Sequence, residues 1–220
     1  MTMLIGAHLR QYTLLTADTR VVWPHPFHYK DGESKIALGR TLAVTGAGHA
    51  PTLKQVKSAL VSSDERSPEK ILATVKFQFP RTAGSRCCIL LTYLPRGPQT
   101  ASPRLEMFCS GPPFQVYRDE SPCIVIPPDM PPRQGEVLRE VLQRSLREMG
   151  PGERWLDTLP HNFKVIAACH HYASERSITI SRDIDIVILH GSGKFFSARG
   201  PIERFCPSDQ VDGILRNYLK

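Results

Sequence analysis

The sequence lacks long apolar runs and the usual signals for export or lipid attachment. Apolar stretches such as Cys87 to Leu91 are far shorter than the roughly 20 residues that a membrane helix needs. The first residues do not form the basic, apolar and small-residue order of a secretory signal, and Thr2 stands where myristoylation requires glycine. These absences predict an intracellular, cytoplasmic protein without a transmembrane span, or a component of a virion.

Paired metal-binding cysteines are also absent. The chain has 6 cysteines, and no two of them show the Cys-x2-Cys spacing that is typical of zinc sites. Cys87 and Cys88 are adjacent, so on a strand they would point to opposite faces. Without an export signal the thiols are expected to be reduced. We therefore predict no metal site and no cofactor.

Complete phosphate-binding motifs are missing as well. A glycine-rich segment from Thr45 to Pro51 follows an apolar stretch and precedes a capping-box pattern that starts at Thr52. However, Pro51 stands where a dinucleotide fingerprint needs its third glycine, and the lysine and hydroxyl of a P-loop are absent. The segment is interpreted as a glycine turn.

Acidic residues are outnumbered by basic ones. The chain has 28 lysines and arginines against 21 aspartates and glutamates, which gives a net charge of +7. Such an excess favours a polyanionic partner, either RNA or an anionic lipid surface. Basic residues interleave with aromatic ones in two places, and the candidates for phosphate or lipid-headgroup contact are Arg81, Arg86, Arg96, Lys194, Arg199 and Arg204.

The patterns that are present mix helix and strand, and 19 prolines cut them into short elements. Apolar residues at helical spacing predict helices over 52–62, 134–149 and 208–220. The other apolar patterns predict an antiparallel β-rich core with strands over 71–79, 86–94, 105–109, 114–117, 123–126, 163–171, 177–181, 184–190 and 194–198. This order fits a single α+β domain over 1–220, with two or three packed helices and an alternative sub-boundary near 127–133.

One local set of residues has the types needed for nucleophilic catalysis. Cys169 would be the nucleophile, His190 the base and Asp183, or in its place Asp185, the orienting acid. The same residue types are also typical of a packed cysteine, a half-exposed histidine and a solvated strand, and spacing alone does not show that they converge. We therefore assign no catalytic residue and keep these three as weak candidates.

Without an enzymatic motif, charge and strand content decide the functional hypothesis. We expect a non-enzymatic structural or accessory protein, matrix-like or capsid-associated in a virus, that binds RNA or an acidic membrane through a basic face and forms a homo-oligomer. One alternative is a small intracellular enzyme that uses the cysteine and histidine pair. A second alternative is a protein-interaction module that exposes its proline clusters at 112–113 and 127–132.

Overall fold

The computed structural model describes residues 2–24, 27–79, 87–96, 102–111 and 113–215. The strands are β1 Leu4–Leu9, β2 Tyr12–Asp18, β3 Val21–Pro24, β4 Phe27–Lys30, β5 Ala37–Leu38, β6 Leu42–Ala47, β7 Cys88–Tyr93, β8 Arg104–Cys109, β9 Gln115–Arg118, β10 Cys123–Val125, β11 Asp183–His190 and β12 Phe195–Pro201. The helices are α1 Ala50–Ser63, α2 Pro68–Gln78, α3 Pro132–Ser145, α4 Trp155–Ser174 and α5 Ser208–Leu215.

Two five-stranded antiparallel sheets form the centre of the molecule. The first sheet has the strand order β10-β1-β2-β11-β12, and the second has the order β5-β6-β7-β8-β9. β3 and β4 pair separately as a two-stranded ribbon. β1 therefore lies inside the first sheet, with its N-terminal end beside the place where β2 ends, because Leu4 pairs with Ala17.

Three apolar clusters show that the sheets are stacked and that helices cover both outer faces. One cluster, which includes Leu15 and Leu90, fills the space between the two sheets. A second packs α3, α4 and α5 on the first sheet, and a third packs α1 and α2 on the second. The result is a four-layer arrangement of helices, sheet, sheet and helices.

Gly46 marks a place where three elements come unusually close. A Cβ atom at this position would lie 2.7 Å from Leu53 Cδ2 on α1 and 2.9 Å from the Cys88 carbonyl oxygen on β7. Because β6 then leads through Gly48 directly into α1, this close packing fixes where the turn between them lies.

The α+β class and the antiparallel sheets are confirmed. Helix 52–62 lies within α1, helix 134–149 begins two residues early and ends at Ser145, and helix 208–220 is described as far as Leu215. Between the predicted strands 184–190 and 194–198, the glycine turn Gly191–Gly193 joins two antiparallel strands, β11 and β12.

Two predicted strands are helices. The alternating residues of 71–79 contain a second pattern, in which Ile71, Val75 and Phe79 are four residues apart. Ile71 and Val75 in α2 and Phe79 directly after it are buried, whereas Phe77 is 60% exposed. The apolar run of 163–171 lies in α4, which is buried on nearly all sides, so no polar face revealed its helical period. The residues of 177–181 form turns and bends rather than a strand.

The apolar character of α4 does not make it a membrane segment. α4 has 20 residues, and none of the helices within the described ranges is both long and apolar enough to cross a bilayer. Its apolar residues pack instead on the first sheet and on α3 and α5.

Candidate functional site

Three side chains meet at the start of β1, where the first strand adjoins the end of β2. The Lys35 ammonium donates a hydrogen bond to Thr2 Oγ1 at 2.8 Å and to Asp18 Oδ1 at 3.0 Å. Asp18 is fully buried and Lys35 is 8% exposed, so both charges of this ion pair are withdrawn from water. A threonine hydroxyl, a lysine and a carboxylate thus form a chain of direct contacts.

Asp18 is fixed by the backbone around it. Its carboxylate accepts hydrogen bonds from the N–H of Met3 at 2.8 Å and of Arg20 at 2.9 Å, in addition to the one from Lys35. Burial raises the pKa of Asp18, while these donors and the lysine charge oppose the rise. The Met3 contact ties the carboxylate to the residue directly after Thr2, which fixes the start of β1.

Lys35 lies outside the regular strands, and side chains from two other elements bind its backbone. Asp185 Oδ2 on β11 accepts a hydrogen bond from the Lys35 N–H at 3.2 Å, and the Lys57 ammonium on α1 donates to the Lys35 carbonyl at 3.1 Å. Asp185 is itself held by the guanidinium of Arg199 on β12. Burial lowers the pKa of Lys35, against the attraction of Asp18.

The turn after Asp18 is held by a buried hydroxyl. Ser181 Oγ accepts a hydrogen bond from the Thr19 N–H at 3.0 Å, lies 3.0 Å from Thr19 Oγ1, and donates to the carbonyl of Asp183 at 2.7 Å. The Thr19 hydroxyl in turn accepts a hydrogen bond from the N–H of Gly32. The loop that carries Lys35 is therefore attached to the turn that follows Asp18.

A cavity of about 430 Å³ opens beside Thr2. Its lining residues come from the turn after β2, from the loop around Lys35, from the end of β6 and from α1, and they include Gly46, Gly48 and Ala50. Gly48 has a φ of 128°, a conformation that glycine adopts readily, and α1 begins at Ala50. The positive end of a helix dipole thus lies at the wall of the cavity that contains the threonine.

These features supply the parts of a hydrolytic site. A threonine hydroxyl can act as a nucleophile, here in reach of a cation, and the N-terminus of α1 adds positive potential at the same cavity. No cluster of three or more histidines, cysteines or acids suited to a metal occurs within the described ranges.

The weak candidates Cys169, His190 and Asp183 lie apart. Cys169 is fully buried in the helical layer, where burial raises the pKa of its thiol. His190 and Asp183 occupy opposite ends of β11, about 23 Å apart for seven residues of strand. The His190 ring stacks on Trp155 with a centroid distance of 4.8 Å.

The basic candidates are also distributed over separate elements. Arg81 and Arg86 lie outside the described residues. Arg96 follows β7 and lies 3.8 Å from Glu65, Lys194 is exposed before β12, and Arg204 is exposed after it. Arg199 pairs with Asp185 and so belongs to the surroundings of Lys35.

Sequence reasoning missed Thr2, Asp18 and Lys35. In the sequence analysis, Thr2 served only to exclude myristoylation. A hydroxyl residue directly before a buried strand was a usable signal for a functional side chain at the edge of the core. The aspartate that ends the apolar stretch 12–17 was a second signal, and the glycine turn at 46–48 was a third. Nothing in their spacing indicates that positions 2, 18 and 35 converge.

Comparison with known proteins gives the fold. No protein-family model matches the sequence, and no curated protein matches it. Solved structures of Anbu from Hyphomicrobium sp. strain MC1 superpose with a TM-score of 0.69 at 14% identity, or 13% for a Gly-1 mutant, over 99% or more of this chain and 97% of theirs. Anbu from Yersinia bercovieri, described as an ancestral beta-subunit, gives a TM-score of 0.69 at 14% identity over 100% of this chain and 97% of that one. The chain has the Anbu fold.

This similarity corrects the functional hypothesis drawn from composition. The prediction of a viral, matrix-like, RNA-binding protein is wrong, because the Anbu structures that share the fold come from bacteria and one is described as a beta-subunit. Net charge misled because it concerns association and solubility rather than fold. The comparison favours the alternative of a protein-interaction module over the main prediction.

Proposed function

We propose that the protein is an amide-bond hydrolase that uses Thr2 as an N-terminal nucleophile. The observation that carries this proposal is the 2.8 Å hydrogen bond between Lys35 Nζ and Thr2 Oγ1 beside an open cavity. A threonine hydroxyl is a weak nucleophile by itself, and an adjacent amino group of the same residue is a known way to activate it. Cleavage of the peptide bond before Thr2 exposes that amino group.

The reaction then follows from the residues present. The neutral α-amino group of Thr2 accepts the hydroxyl proton while Oγ1 attacks the carbonyl carbon of the substrate. The resulting ammonium returns the proton to the leaving amine as the carbon–nitrogen bond breaks, which leaves an ester on Thr2. Water, deprotonated by the same amine, hydrolyses the ester and restores the free hydroxyl.

Lys35 and the glycine turn stabilise the charges of this reaction. The ammonium of Lys35 lies against Oγ1 and favours its anionic form, while Asp18 holds the lysine in place. Backbone N–H groups of the turn at Gly48 are the candidates for binding the oxyanion, because Gly48 lines the same cavity as Thr2. Lys35 is preorganised, since the side chains of Asp185 and Lys57 bind its backbone N–H and its carbonyl oxygen.

Assembly is the second part of the proposal. The Anbu fold and the description of one neighbour as a beta-subunit support a chain that forms a homo-oligomer, with 1–220 as its single domain. Light scattering during size-exclusion chromatography measures the molar mass of the protein in solution. A monomeric mass at all concentrations contradicts the proposed homo-oligomer.

The hydrolase proposal is tested on the purified protein with Thr2 at the N-terminus, verified by mass spectrometry. Phenylmethanesulfonyl fluoride is expected to modify Thr2 alone, and fluorogenic peptide amides are expected to be hydrolysed. Thr2→Val, which replaces the hydroxyl by a methyl group, removes both signals, whereas Thr2→Ser retains them. Equal hydrolysis by the wild type and Thr2→Val rejects the proposal.

A further inference from the structure

We propose that the cavity beside Thr2 selects substrates with a carboxylate side chain on the residue whose carbonyl is attacked. This inference rests on the proposed function, because it concerns the substrate of the same site. Thr2 and the two lysines Lys54 and Lys57 line one cavity. A carbonyl placed at Thr2 Oγ1 therefore directs the adjoining side chain toward these lysines.

Most charged groups at the cavity already have a partner of opposite charge. Arg20 binds Asp31 through two hydrogen bonds of 2.7 and 2.9 Å, and Glu33 pairs with Lys30. Lys35, as described above, pairs with Asp18. These pairs leave little net charge of their own.

Lys54 and Lys57 differ from these pairs. They lie one turn apart on α1, so their side chains share a face of the helix. Within the part of the chain that the structure describes, no carboxylate lies within ion-pair distance of either ammonium. The wall formed by α1 therefore carries two positive charges without a matching negative one.

Lys57 has a position that suits recognition. Its ammonium is partly buried and donates to a neutral acceptor, the Lys35 carbonyl, at 3.1 Å. Burial and the nearby charge of Lys35 lower the pKa of Lys57, which means that the surroundings disfavour its positive charge. A bound carboxylate supplies the missing negative charge and accepts one of the remaining ammonium hydrogens.

The rest of the wall limits the size and character of the side chain. Val21, Val22, Ala37, Leu53 and Val61 also line the cavity. Apolar walls surround the methylene groups of a glutamate, while its carboxylate reaches the lysines. They also weaken competition by water, which strengthens the charge interaction.

The test compares fluorogenic peptides that differ only in the residue before the scissile amide, namely Glu, Gln, Leu or Lys. We expect kcat/KM for Glu to exceed that for Gln by about tenfold, the scale of one hydrogen bond to a charged group. Lys54→Met should reduce this ratio, and it removes no hydrogen bond to Lys35. Lys57→Glu should reverse the preference, so that the Lys peptide becomes the better substrate. Lys164→Met, on the exposed side of α4, is the matched control and should leave the ratio unchanged.

Labelling by phenylmethanesulfonyl fluoride, which has no carboxylate, separates the two proposals. If Thr2 is labelled but Glu and Gln peptides are cleaved equally, or protect Thr2 equally, the selectivity inference is overturned and the hydrolase stands. If Thr2 is not labelled and no peptide is cleaved, the hydrolase proposal fails, and the selectivity with it. A Glu preference that persists in both Lys54→Met and Lys57→Glu also overturns the inference.

Discussion

Asp185 accepts a hydrogen bond from the backbone N–H of Lys35 at 3.2 Å, although 150 positions separate the two residues in the chain. The contact brings the last hairpin of the first sheet to the loop that carries the lysine. Since Arg199 binds the same carboxylate, a charged pair on β11 and β12 sets the position of that loop.

The first prediction concerns Asp185 as a positioning residue. Asp185→Ala should lower kcat by about tenfold or more, because a shift of Lys35 weakens its contact with Thr2 Oγ1. Asp185→Asn retains an oxygen acceptor and should restore most of the rate. The alkaline limb of the pH profile should move to lower pH in both variants, because the charge of Asp185 raises the pKa of Lys35. Asp183→Asn, two residues away on the same strand, is the control; a comparable loss there would mean that the strand, not the contact, is responsible.

The second prediction is a bell-shaped dependence of peptide hydrolysis on pH. The rate rises as the α-amino group of Thr2 loses its proton, at a pH of about 7.7–8.0 for an ordinary amine. It falls as Lys35 loses its proton, at a pH below the usual lysine value because burial lowers its pKa. Lys35→Arg keeps a permanent cation and should remove the alkaline limb from any residual activity. Initial rates measured between about pH 5 and pH 11, an interval that spans the titration of both amino groups, test the bell shape. A flat profile of the wild type contradicts it.

The third prediction concerns the close packing at Gly46. Gly46→Ala should lower the free energy of unfolding by about 1–3 kcal/mol, because the new Cβ meets the Cys88 carbonyl oxygen at 2.9 Å and backbone must shift. Gly213 in α5 is the control, because a Cβ atom added there would meet no other atom within 4 Å. Gly213→Ala should be neutral or slightly stabilising. Urea unfolding of the wild type and both variants tests this prediction. An unchanged midpoint for Gly46→Ala would show that the backbone of the sheet shifts without loss of stability.

The fourth prediction concerns stability in acid. His170 is fully buried on α4, its Nε2 lies 2.8 Å from Thr16 Oγ1, and burial lowers its pKa to about 3. Between pH 6.5 and about 3 the unfolded chain binds a proton at this residue that the folded chain does not, so stability is lost as the pH falls through this range. His170→Leu should reduce the slope by up to about 1.4 kcal/mol per pH unit. An unchanged slope in urea unfolding across this range would mean that His170 is protonated in the folded state.

Particular residues explain which features were predictable from sequence. Strands such as 184–190 were found because one side packs on helices and the turn at Gly191–Gly193 closes the hairpin. The segment 71–79 was assigned wrongly because its apolar residues satisfy both a period of two and a spacing of four, and only packing on the second sheet selects the helix.

The candidate site was not predictable for a different reason. Thr2, Asp18 and Lys35 come from a strand start, a strand end and a loop, and each has an ordinary structural role by itself. What gives them chemical meaning is the alignment of β1 with β2 together with the loop attachment by Asp185 and Lys57. Those are tertiary contacts, which local patterns do not encode.

The space between the two sheets is almost entirely apolar, yet Thr13 on β2 and Thr92 on β7 form a hydrogen bond across it, and both are fully buried. Apolar contact has no preferred direction, so two apolar sheet faces can slide or rotate against each other at a small cost in free energy. A hydroxyl pair does not, since any displacement leaves two polar groups unsatisfied in a dry interior. The hydrogen bond between Thr13 and Thr92 therefore fixes the alignment of the two sheets. It keeps Thr2, at the start of the first sheet, opposite the glycine turn at Gly48, which follows a strand of the second sheet.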